Sequence, residues 1–111
     1  MTDRAALLAA AAAVIAELPD VVAGPADGGT AWSRSGTRFA VLAGASVDIR
    51  IGATIAAAAL RTPDVAASAR GSDWVAFAPR ELDGHALDRL GAWLVAAHRR
   101  AVGRGDGLAA G

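Results

Sequence analysis

Imidazole is a common metal ligand and an acid–base group near neutral pH, so the two histidines, His85 and His98, come first. They stand thirteen positions apart on one expected helix, which at about 100° per residue sets them about 220° apart around its axis. They cannot share a metal, and no third ligand stands near either at metal-site spacing, so no metal is expected. Both read as solvent-facing residues, with His98 beside Arg99 and Arg100 where cations favour the carboxyl-terminal end of a helix dipole. The chain has no cysteine, which excludes a thiolate nucleophile, a disulfide framework and a cysteine zinc site. None of its five serines stands in a Gly-x-Ser-x-Gly elbow. The glycines at 103, 105 and 107 follow the last expected helix, so they do not form a phosphate-binding loop at a helix start. No cofactor is implied.

A different constellation comes from strand alternation. In Ser46 to Ile51 the residues Val47, Ile49 and Ile51 share one face, and Ser46, Asp48 and Arg50 share the other. The same period predicts Phe39, Val41, Val47, Ile49, Ile51, Val75 and Phe77 against helices, with Arg38, Asp48, Arg50 and Trp74 on the opposite face. Two guanidiniums, a carboxylate and an indole on one open face suit a planar or anionic ligand. The competing arrangement is a solvated sheet face on which Arg38 neutralises Asp48 across the strands and Trp74 covers backbone or meets a partner protein.

The elements that must position these residues are short and separated by clear breaks. Among 111 residues, 31 are alanine. The remaining large apolar side chains, ten Leu, nine Val, four Ile, three Trp and two Phe, suffice for one modest core. Thr2 to Leu18 reads as an amphipathic helix capped by Asp3 or Thr2 and ended by Pro19. Its apolar run is too short for a membrane span, and it lacks the basic start and cleavage pattern of a signal peptide. Val21 to Gly29 reads as a loop because of Gly24, Pro25, Gly28 and Gly29. Three strands follow at Thr30 to Arg34, Arg38 to Ala43 and Ser46 to Ile51. A helix over Ala53 to Arg61, a hairpin from Val65 to Ala78 around Gly71-Ser72-Asp73, and a long helix capped by Asp83 complete the order αβββαββα. The expectation is a two-layer α+β domain over 1–102 with an antiparallel five-stranded sheet, Leu87, Leu90 and Leu94 buried against it, and a disordered glycine-rich tail over 103–111. Eleven arginines balance nine Asp and two Glu. A neutral chain lacks the basic surplus of a nucleic-acid or anionic-membrane binder, so neither partner is expected.

The stretch Gly71-Ser72-Asp73-Trp74-Val75-Ala76-Phe77, with a polar turn and a long helix after it and Asp48-Ile49-Arg50-Ile51-Gly52 before it, resembles the luciferase-domain family, small bacterial proteins named after fungal luciferase. The likeness covers about residues 30–100, and the element order is also similar to the MmcQ/YjbR-like fold. Family members often carry Glu and His on the second strand, where this chain has Arg38-Phe39-Ala40-Val41-Leu42, so histidine-dependent oxidation of a luciferin lacks its residues here. The resemblance implies a cytoplasmic binding module whose sheet face, through Trp74, Asp48, Arg38 and Arg50, takes a small ligand or a protein. Its rivals are a cofactor-independent oxidative enzyme and an obligate homodimer that buries the sheet face without a small ligand.

Overall fold

The computed structural model describes residues 3–26 and 28–110, with side chains placed through Ala101. Helix α1 (Arg4–Ile15) opens where the Asp3 carboxylate accepts the Ala6 N–H at 2.7 Å, as an N-cap should. Strands β1 (Val21–Ala26), β2 (Gly29–Arg34), β3 (Thr37–Ala43) and β4 (Ser46–Arg50) form an antiparallel meander. Helix α2 (Ala53–Ala59) leads to the hairpin of β5 (Val65–Ala67) and β6 (Trp74–Phe77). Strand β6 inserts next to β4, giving the order β1-β2-β3-β4-β6-β5. Helix α3 (Gly84–Ala110) closes the order, and its first turn is capped by Asp83, whose carboxylate accepts from Ala86 N at 2.9 Å. The expected glycine-rich tail over 103–111 falls where the side chains, and Gly111 altogether, lie outside the described residues.

The α+β class and the antiparallel sheet agree with the sequence, but the sheet has six strands instead of five. The additional strand is β1, in the segment whose glycines and proline read as a loop. Strand β1 is an edge, bonded only to β2, and an edge tolerates a proline that a central strand could not. Gly29 is required by close approach, since a Cβ there would lie 1.8 Å from the Leu42 carbonyl oxygen.

One cluster joins Leu7, Ala11 and Ile15 of α1, Ala56 and Ala59 of α2, and Ala86, Leu90, Leu94 and Ala97 of α3 to one face of the sheet. On α3 these positions recur at three- and four-residue spacing, which lines one side of a helix. Leu87 falls off that stripe and is 45% exposed, so its expected burial is corrected. Cross-strand partners share a face. The rows Ala40, Ile49, Val75 and Leu42, Val47, Phe77 therefore face the helices. Val41 pairs with Asp48 and faces away, contrary to simple alternation. The cause is a β-bulge: Trp32 pairs with Ala40 but Ser33 with Arg38, which leaves Phe39 as the extra residue. The bulge lets Phe39 and Ala40 both join the core and shifts the phase between them.

Candidate functional site

Asp48 and Arg50 are two apart on β4, and Arg50 pairs with Trp74 on β6, so all three project from the helix-free face. Arg38, opposite Ser33 on the neighbouring strand β3, shares that face and is exposed. The structure thus places on one face the four residues that alternation singled out. It also supplies two that the sequence did not mark. The loop over 68–73, between β5 and β6, folds toward this face and carries Arg70, whose Nε donates to the Asp48 carboxylate at 2.8 Å, and Asp73, whose carboxylate accepts from Arg50 Nε at 2.6 Å. The carbon of the Arg70 guanidinium lies 5.7 Å from the centre of the Trp74 ring, a cation–π distance. The loop is shaped locally, with Arg70 N donating to Ser68 Oγ and Trp74 N to the Gly71 carbonyl.

The cross-strand pairing of Asp48 with Arg38 is therefore replaced by pairing with Arg70. Both carboxylates and two of the three arginines neutralise each other while half-buried. Among the described residues Arg38 makes no ion pair. The face presents an indole framed by compensated charges, with one further cation at its side. Such a surface suits a planar or apolar group better than a densely charged anion. Ala31 and Val41 also lie on it and are nearly buried, leaving Val22, at 68% exposure, as its large accessible aliphatic side chain.

The histidines divide differently from the expectation. His85 is exposed, but His98 is only 5% exposed and is corrected from a surface residue to a buried one. Its Nδ1 lies 3.0 Å from Arg34 Nη1 and its Nε2 lies 2.7 Å from the Pro19 carbonyl. A guanidinium only donates and a carbonyl only accepts, so the ring is neutral with its proton on Nε2. Arg34 also donates to the His98 carbonyl at 3.2 Å, and the ring meets Phe39 edge-on at 5.7 Å. Both ring nitrogens are engaged in tying α3 to β2 and to the α1–β1 connection, which leaves neither for acid–base work.

A second concavity, of about 420 Å³, lies where Pro63 and Asp64 face Arg80, Glu81 and the start of α3 at His85 and Arg89. The Arg80 backbone N–H, donating to Asp64 at 3.2 Å, holds that carboxyl below its usual value, helped by the Arg80 guanidinium at 3.1 Å. Asp64 is thereby committed to Arg80 and Asp83 to capping α3. Among the described residues no group of three or more His, Asp or Glu is placed to hold a metal ion, and no helix is long and apolar enough to cross a membrane.

Fold and face together define a two-layer α+β protein with all helices on one side of its sheet and a framed indole on the other. Comparison with protein families, with curated proteins and with solved structures finds no match for this chain.

Proposed function

We propose that this chain is a small cytoplasmic binding module of the luciferase-domain type, which takes a small ligand or a protein partner on its helix-free sheet face around Trp74. The observation that carries the reading is the frame itself. Two half-buried ion pairs, Arg70 with Asp48 and Arg50 with Asp73, fix a partly exposed indole on a face that no helix covers. Rigid aromatic anchors inside a polar surround are the usual centre of a recognition surface. Trp74 is the anchor, Asp48 and Arg50 hold its surround, and Arg38 offers a cation to the bound group.

The dimer reading draws less support. An obligate interface needs a broad apolar surface, and on this face Ala31 and Val41 are already buried while Val22 stands alone. An oxidative enzyme would need a positioned acid–base pair, and His98 is spent on structure. A thermal-shift screen of small planar compounds, run beside sedimentation velocity, tests the reading. A stabilising compound or captured partner whose affinity falls in Trp74→Ala and Asp48→Ala supports it. A tight dimer blind to every compound and disrupted by the same substitutions replaces it with the dimer.

A further inference from the structure

The helical side of the molecule carries a second feature, unconnected with the sheet face. Helix α2 turns only alanines, Ala56 and Ala59, into the core. Its short inward side chains leave a groove toward α3, and Ile55, its largest side chain, stays 46% exposed beside that groove. One part of the groove, about 220 Å³, is bounded by Ile55, Ala58, Thr62 and Trp93. The next part, about 340 Å³, runs from Ile55 past Thr54 and Gly52 to Arg100. Ile55 borders both, so the two depressions adjoin at its side chain. Trp93 is held as a wall by an edge-on contact with Phe77 at 5.3 Å.

The other end of the groove is cationic. Gly52 has φ of 94° and no side chain, and a Cβ there would meet the Cζ, Nη1 and Nε atoms of Arg100 at 2.9, 3.0 and 3.1 Å. Three nearly equal distances mean that the guanidinium lies face-on over the glycine. Its N–H edges are therefore turned away from the backbone. Among the described residues Arg100 has no hydrogen bond or ion pair, in contrast to Arg50, Arg70 and Arg80, each of which holds a carboxylate. A guanidinium seated by a glycine, with no counter-charge, beside depressions bordered by Ile55 and Trp93 suits an apolar chain that ends in a carboxylate.

We propose that the α2–α3 groove binds a medium-chain carboxylate, with the chain along Ile55, Ala58 and Trp93 and the head group on Arg100. The guanidinium donates two N–H bonds to the carboxylate, and the alkyl chain removes Ile55 and the Trp93 ring from water.

The test uses the full chain, labelled with nitrogen-15, and sodium octanoate below its aggregation concentration. Saturable shifts should appear at Ile55, Thr54 and the Trp93 indole N–H. Arg100→Gln, an exposed substitution that should leave the melting temperature unchanged, should weaken octanoate about tenfold, as loss of a charged hydrogen bond does. Octanol should bind the native chain about as weakly as octanoate binds that variant. Trp74→Ala should leave octanoate binding intact, which separates this site from the sheet face. Equal affinity of octanoate and octanol, an unchanged affinity in Arg100→Gln, or shifts scattered outside the groove would each overturn the assignment. So would octanoate shifts that vanish on dilution of the protein, since a second copy would then be forming the site.

Discussion

Replacing His98 should damage this fold far more than its place just before Arg99 and Arg100 in the sequence indicates. The ring is 5% exposed and makes two side-chain hydrogen bonds, from Arg34 Nη1 at 3.0 Å and to the Pro19 carbonyl at 2.7 Å. His98→Ala removes both, leaves the Pro19 carbonyl without its donor, and strips a contact from a guanidinium whose buried Nε already has no partner. Stranding one such group costs about 1–3 kcal/mol, and losing the edge-on contact with Phe39 costs about 0.5–1.5 kcal/mol more. With the hydrogen bond itself, the loss should be about 3–5 kcal/mol. His98→Gln keeps an amide that can accept from Arg34 or donate to Pro19, and should lose about 1–2 kcal/mol. Urea unfolding followed by tryptophan fluorescence measures both. A loss below about 0.5 kcal/mol for His98→Ala, the range of surface substitutions, would refute the latch between α3, β2 and the α1–β1 connection.

Other substitutions probe the core, the sheet and the surface charge. Leu90→Ala, at a fully buried site, should cost about 2–5 kcal/mol, whereas Leu87→Ala should stay within about 0.5 kcal/mol in the same unfolding assay. Gly29→Ala places a methyl against the Leu42 carbonyl, a backbone atom that cannot swing aside. It should cost about 3 kcal/mol or more, with loss of amide protection in β1 and β2. Asp64 has a lowered pKa because of Arg80, so its contribution to stability is present above the unfolded carboxyl value of about 3.9 and is lost as pH falls through the lower folded value. Asp64→Asn should flatten that part of an acid-unfolding curve, and an unchanged curve would show that Arg80 does not hold the carboxylate.

Much of the arrangement is legible in residue spacing. The Val47, Ile49, Ile51 alternation places Asp48 and Arg50 outward, and with Trp74 opposite Arg50 the site face follows. The Asp3 and Asp83 caps start two helices as their residue types predict. Strict alternation fails at Val41 because a bulge at Phe39 depends on how β2 lies beside β3, a tertiary pairing with no local signal. Strand β1 escapes for a similar reason, since Gly24 and Pro25 weaken a central strand but not an edge. Arg70 and Asp73 sit in a turn whose composition announces only the turn. Their partners lie 22 and 23 residues away, and only the Arg-x-x-Asp spacing just before Trp74 hints at them. His98 is hidden by the Arg99 and Arg100 that follow it, although its core-facing neighbours Leu94, Ala97 and Ala101 place it at the edge of the buried stripe.

The central claim is that Trp74 anchors recognition without supporting the core. Its most direct test is the affinity of Trp74→Ala for the tightest compound or partner found with the native chain, measured by calorimetry beside the unfolding free energy of the same variant. Affinity should fall by more than about fivefold, the equivalent of a 1 kcal/mol contact, while stability changes by less than the binding energy does. Unchanged affinity, or a variant that unfolds before it can bind, would contradict the sheet-face site.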